Sequence, residues 1–150
     1  MNSDFKDLLQ IFAEEEVKYL IIGAYAVMNY TQPRYTKDID LWIKPDVENS
    51  HRVARAFRRF GIPLIEVTRE DFEQEGLQYV IGVSPCQIDF LTTMPGVTSF
   101  DESWKTKQTN KTKSGIAIHY LGKADLIKAK KTAGRPQDLA DLDELRRAKG

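Results

Sequence analysis

Asp38-Ile39-Asp40-Leu41-Trp42-Ile43 sets two acids two residues apart at the head of an apolar run. In an extended strand successive side chains point to opposite faces, so Asp38 and Asp40 project together while Ile39 and Leu41 turn to the other side. Two like charges side by side need compensation. A divalent cation supplies it, because Mg²⁺ takes hard oxygen ligands and is commonly held by one or two carboxylates plus substrate phosphates. Farther along, Gln87-Ile88-Asp89-Phe90-Leu91 places a third acid inside another apolar strand, where an unpaired charge is costly. If those strands are neighbours, Asp38, Asp40 and Asp89 converge. Three such carboxylates can hold two cations about 3.5–4 Å apart, an arrangement suited to in-line phosphoryl or nucleotidyl displacement. A lone D-x-D is more often a cap or a salt-bridged strand edge; Asp89 and the turn upstream give this one company.

That turn is Gly23-Ala24, between a buried strand, Lys18 to Ile22, and a helical run from Ala24 to Tyr30. Small residues there let the backbone approach a ligand, and the helix N-terminus offers free amides to a phosphate. Gln32-Pro33 ends the helix, and the chain re-enters a strand over Lys37 to Lys44, closed by Pro45. The N-terminal helix is expected to be capped by Ser3, with Phe5, Leu8, Leu9 and Phe12 on one stripe. Asp46 to Phe60 reads as a surface helix stopped by Gly61. Leu64 to Val67 predicts a short strand and Arg69 to Glu75 a short polar helix. Leu77 to Val83 and Gln87 to Thr92 predict a hairpin, Ile116 to Leu121 a strand, and Lys123 to Ala133 and Pro136 to Ala148 two closing helices. The class is α/β or α+β, a mixed β-sheet flanked by helices. No repeat or linker divides the chain, so one domain over 1–150 is expected, with a helical segment at 123–148.

Composition narrows the classes further. Of 150 residues, 41% are hydrophobic and 29% charged, which excludes disordered and collagen-like chains. The apolar stretch Tyr19 to Met28 is too short to span a bilayer, and the polar start Asn2-Ser3-Asp4 is unlike a signal peptide, so no membrane association is expected. Cys86, the single cysteine, suits a cytoplasmic location and excludes a thiolate zinc site. His51 and His119 lack a partner at ligand spacing. Acids and bases balance at 22 each, but between Lys105 and Arg135 nine basic residues stand against one acid, Asp125. Such a segment could face the phosphates of a nucleotide or of RNA, or form a solvated face.

With those residues in place, the sequence resembles a known family. The order of strand, Gly23-Ala24 turn, helix, Arg34-Tyr35-Thr36-Lys37-Asp38-Ile39-Asp40 and the later Ile88-Asp89-Phe90 is similar to the nucleotidyltransferase superfamily with the polymerase-β-type palm. Asp125-Leu126-Ile127, Lys130, Ala133-Gly134-Arg135-Pro136 and Asp138-Leu139-Ala140-Asp141-Leu142 resemble the C-terminal signature of small bacterial nucleotidyltransferase-like proteins related to AbiEii-type toxins. The likeness runs from about Tyr19 to Leu145.

The resemblance implies a nucleotidyltransferase-like palm and a metal-dependent transfer of NMP from an NTP to a hydroxyl of RNA, tRNA, a protein or a small molecule. Asp38, Asp40 and Asp89 would bind Mg²⁺ or Mn²⁺, the first two at the triphosphate and Asp89 at the acceptor hydroxyl. Gly23 and Ala24 would lie against the phosphates. Lys130 would neutralise phosphate charge, with Lys128 and Lys131 as rivals for the inward position, and Lys37 would touch substrate phosphate or pair with the acids. Asp138 and Asp141 read as structural helix charges. One departure is Ala24, where many active members carry serine or glycine. It keeps open a second reading, a nucleotide-binding component of a toxin–antitoxin or defence pair without catalysis. A D-x-D glycosyltransferase is a third, and leaves the C-terminal signature unexplained.

Overall fold

The computed structural model describes residues 1–33, 38–83 and 86–148. In chain order the elements are α1 (Ser3–Glu14), β1 (Tyr19–Ile22), α2 (Gly23–Tyr30), β2 (Ile39–Ile43), α3 (Val47–Phe60), a 3₁₀ turn (Glu70–Glu73), β3 (Gln78–Ile81), β4 (Ile88–Leu91), α4 (Phe100–Lys105), β5 (Gln108–Lys111), β6 (Ala117–Tyr120), α5 (Lys123–Ala133) and α6 (Pro136–Arg147). The six strands form one mixed sheet in the order β3-β4-β2-β1-β6-β5. β2 and β4 are parallel, as are β1 and β6; β1–β2, β3–β4 and β5–β6 are antiparallel. A parallel pair needs a crossover, and the one between β2 and β4 contains α3, the 3₁₀ turn and β3.

Alternation along the strands sorts the two faces. Tyr19, Leu41 and Phe90 face α1 and α3, where Phe90 meets Phe12 and Phe57 with ring centroids 6.4 and 4.9 Å apart. Phe57 also stands edge-on against Phe72 of the 3₁₀ turn, and Phe12 packs at a tilt on Tyr19. On the other face Trp42 packs on Phe100 of α4, and Leu126 and Ala129 of α5 are buried. The β1–β2 rim is clasped from α3 by the buried Asn49. Its Oδ1 accepts from the Lys18 amide at 2.8 Å, and its Nδ2 donates to the carbonyls of Lys18 and Lys44 at 3.0 and 2.9 Å.

Several local expectations need correction. The cap of α1 is Asn2, whose Oδ1 accepts from the amides of Asp4 and Phe5; Ser3 is already the first helical residue. Residues 64–67 form no strand, because the sheet edge is taken by β3 and the apolar run turns outward, with Ile65 82% exposed. The polar helix expected over 69–75 shrinks to the 3₁₀ turn around buried Phe72. Two elements had no forecast. α4 starts at Ser99, whose side chain accepts from the Glu102 amide, and β5 is a strand with every residue exposed. By contrast α3 follows its signals: Asp46 caps the start, accepting from the Asn49 amide, and Gly61 adopts the left-handed conformation at the end.

Phe90 is fully buried at the meeting point of α1, α3 and β4. Phe90→Ala is expected to lower unfolding free energy by about 3–5 kcal/mol, read as a fall in the urea midpoint at unchanged slope.

Candidate functional site

Strand register brings the acids together. Ile22 lies opposite Asp40 across β1–β2, and Asp40 lies beside Asp89 across the parallel β2–β4 pair. Matched positions on adjacent strands put both carboxyl groups on the face turned away from Phe12 and Phe57. The β1–α2 turn closes over them. Gly23 has φ +69°, and a Cβ built there would overlap the Oδ2 of Asp40. Only glycine lets the main chain pass this close.

Asp40 is pushed up to about 7, first by burial, then by the charge of Asp89 and a hydrogen bond with it, and by the charge of Asp38; Lys130 pulls the other way. Below neutral pH, Asp40 therefore carries a proton and Asp89 is its carboxyl partner. Asp38 stands one residue before the ladder. Its Oδ1 accepts from the main-chain amide of Gln87 at 3.2 Å, while Gln87 Nε2 donates to Asp89 Oδ1 at 2.9 Å and the Gln87 carbonyl accepts from the Ile39 amide at 3.0 Å. Of the three acids expected to converge, the structure puts Asp40 and Asp89 in contact and holds Asp38 beside Gln87. Among the described residues no group of three or more His, Cys, Asp or Glu side chains is arranged to hold a metal ion by itself. Two carboxylates with hard oxygens nonetheless fit the usual Mg²⁺ site, completed by substrate phosphates rather than by protein.

A cavity of about 220 Å³ opens in front of the pair. Gly23, Asp40 and Asp89 form its floor; Lys130, Arg135 and Asp138 stand on the α5–α6 side, and Gln78, Leu91, Met94 and Pro95 on the β3–β4 side. A larger cavity, about 520 Å³, lies where Tyr30 and Gln32 meet Glu144 and Arg147. It lacks a carboxyl pair, so chemistry rather than volume makes the smaller one the candidate site.

Lys130 is the α5 lysine that points inward; Lys128 and Lys131 are exposed. Its Nζ lies 3.2 Å from Asp138 Oδ1 and 3.0 Å from Asp141 Oδ2, and both of those carboxylates are buried. Asp138 also accepts from the amide and the Nε of Arg135 at 3.1 and 2.7 Å. The Arg135 guanidinium first, with Lys130 and the Arg135 amide, lowers the Asp138 carboxyl to about 2 against the upward push of burial. Asp138 and Asp141 thus do more than adjust a helix end, since they fix the cavity's cation. Ala24 sits in the first turn of α2, and no capping side chain bonds to the amides there. Lys37 and the neighbouring Arg34 lie outside the described residues. Arg135, Gln87 and Gln78 had no assigned role in the sequence reading. The D-x-x-D spacing after Arg135 was a usable signal for the first, because it puts both acids on one helical face; nothing local marks the other two.

No protein-family model and no curated protein matches the sequence. Among solved structures, the chain is similar to a crystal structure of the lincosamide antibiotic adenylyltransferase LnuA with lincomycin bound. The identity is 13% over 98% of this chain and 97% of that chain, with a TM-score of 0.57. The fold is that of a nucleotidyltransferase palm. The similarity extends over both chains almost end to end. Among the described residues no helix is long and apolar enough to cross a membrane.

The two shifted carboxyls have opposite consequences for stability. Asp40 rises on folding, so its contribution is full below about pH 4 and is lost as pH climbs through about 7. Asp138 falls, so its contribution is full above about pH 4 and is lost as pH drops through about 2. Melts in EDTA are expected to show Asp40→Asn more stable than wild type by at least ~1 kcal/mol at pH 8 and nearly equal to it below about pH 4. Asp138→Asn is expected to lower the melting temperature at pH 7, and to narrow that deficit as pH approaches 2.

Proposed function

We propose that the protein is a metal-dependent nucleotidyltransferase that moves NMP from an NTP to a hydroxyl acceptor. The observation that carries this reading is the in-register pair Asp40–Asp89 with the main chain of Gly23 pressed against it. A pair of carboxyls crowded until one holds a proton is poised to exchange that proton for a divalent cation, because metal ligation requires the carboxylate form. Mg²⁺ or Mn²⁺ held by Asp40 and Asp89, with Asp38 in support, would neutralise the triphosphate and polarise it toward displacement.

This chain's own residues have separate tasks. The first-turn amides of α2 and the main chain at Gly23 and Ala24 receive phosphate oxygens. Lys130, held by Asp138 and Asp141, faces the phosphates as a fixed cation and stabilises charge that develops on the departing pyrophosphate. Asp89 receives the acceptor hydroxyl and is placed to take its proton. Atoms balance as follows: the acceptor oxygen bonds to the α-phosphorus, the α–β phosphoanhydride bond breaks, and pyrophosphate leaves with the bonding pair. The similar structure supports this reading at the level of fold, and its name describes an adenylyltransferase. The C-terminal likeness to AbiEii-type toxins is what supports a toxin–antitoxin partner, and a cytoplasmic setting belongs to the same proposal.

A second reading, nucleotide binding without transfer, is favoured by Ala24 at the phosphate turn and by the lack of a protein-only metal cluster among the described residues. Labelled NTPs with Mg²⁺ or Mn²⁺ separate the two. Transfer is expected, with Asp40→Asn and Asp89→Asn each reducing it at least ~10³-fold at unchanged fold by circular dichroism. ATP binding by calorimetry with no metal-dependent turnover would select the second reading.

A further inference from the structure

The walls of the cavity differ in charge. On the α5–α6 side Lys130 and Arg135 are both paired with Asp138, and Lys130 also with Asp141. Counting Asp40, Asp89 and Asp138 against those two cations, the described lining carries more acid than base. The β3–β4 side is neutral. Register sets Val80 beside Asp89 and Gln78 beside Leu91, so Gln78 and Val80 share the face of Asp89. Met94 and Pro95 complete that wall. It is also the open side, since β3 is the sheet edge, with Gln78 exposed and Val80 42% exposed.

Apart from Lys130 and Arg135, the basic segment lies outside the described lining. Lys111 is on β5, with Lys107 just before it and Lys113 just after. β5 is the opposite edge of the sheet, four strand positions from β4, or about 19 Å at the usual strand spacing. Lys128 and Lys131 are exposed on α5. Among the described residues, a polyanion whose end reached Asp89 from the open edge would meet carboxylate, hydrocarbon and one neutral amide, with the β5 lysine a sheet's width away.

The geometry points to a small acceptor, uncharged or cationic, that presents a hydroxyl to Asp89 and an apolar face to Leu91, Met94 and Pro95, with Gln78 bonding to a second polar group. This rests on the nucleotidyl-transfer reading and names its acceptor class. The nucleotide takes the Gly23–Lys130 side and the acceptor the β3–β4 side, so the attacking oxygen approaches across Asp89 and pyrophosphate departs toward Lys130. Burying hydrocarbon on this wall strengthens acceptor binding up to about fourfold per methylene.

Pyrophosphate release from a mixture of the four NTPs with Mg²⁺ tests this on the full chain, using methyl β-glucoside, octyl β-glucoside below its micellar concentration, and total tRNA as acceptors. Octyl glucoside is expected to stimulate release at least tenfold over methyl glucoside, and tRNA not at all. Gln78→Lys on the exposed edge and Leu91→Lys are each expected to raise KM for octyl glucoside tenfold or more, while Lys111→Ala with Lys113→Ala changes nothing. Transfer to tRNA would overturn the acceptor site and leave nucleotidyl transfer standing. So would basal turnover that depends on Asp40 but ignores both glucosides, or responds to them equally. Absence of any Asp40-dependent release would overturn the transfer reading itself, and the acceptor site with it.

Discussion

Asp40 and Asp89 occupy matched positions on neighbouring parallel strands, and main-chain hydrogen bonds of the ladder hold them there whatever their charge. Left to themselves, two carboxylates would move apart or take up water. Here the first escape is closed, because each backbone is fixed by its sheet neighbours and Gly23 covers Asp40 from above. Their repulsion is resolved by a retained proton, and in the proposed reaction by a cation. The rest of the structure supplies the stiffness that makes this crowding sustainable.

Most of that stiffness comes from the opposite face of the sheet. Leu41 and Phe90 follow directly after the two acids and carry the packing against α1 and α3. One residue step along each strand therefore converts a charged pair into the centre of the core. Asn49 adds a polar fastening at the other end of β1 and β2, where three main-chain groups of Lys18 and Lys44 are satisfied by one amide. Burial of such a group is tolerable because all its bonds are made.

The acid strands were legible because their signals are local. Alternation around Asp40 and Asp89, Gly61 after an amphipathic run, and Pro136 in a first turn each act within a few residues. Adjacency of β2 and β4 was conditional in the sequence, since nothing short-range states which strands pair. β5 was invisible for a different reason: its residues are all polar and exposed, so burial left no pattern to read. The start of α4 was legible in Ser99 and Glu102, a capping pair, though six residues gave little periodicity to confirm it. At Leu64-Ile65 apolar character misled, because those side chains meet solvent. The inward lysine could be narrowed to three by sequence; buried Asp138 and Asp141 chose Lys130.

The close passage of Gly23 over Asp40 also links, in evolutionary time, the fates of two positions 17 residues apart in the chain. A lineage that acquires any side chain at 23 must shorten or shift the one at 40, and shortening it deletes the acid. Conversely, once the acid has been lost, the ban on larger residues at 23 weakens to the backbone strain alone. Descendants of this chain that lose the acid at 40 should therefore become free to change at the glycine as well, even while the core beneath stays the same.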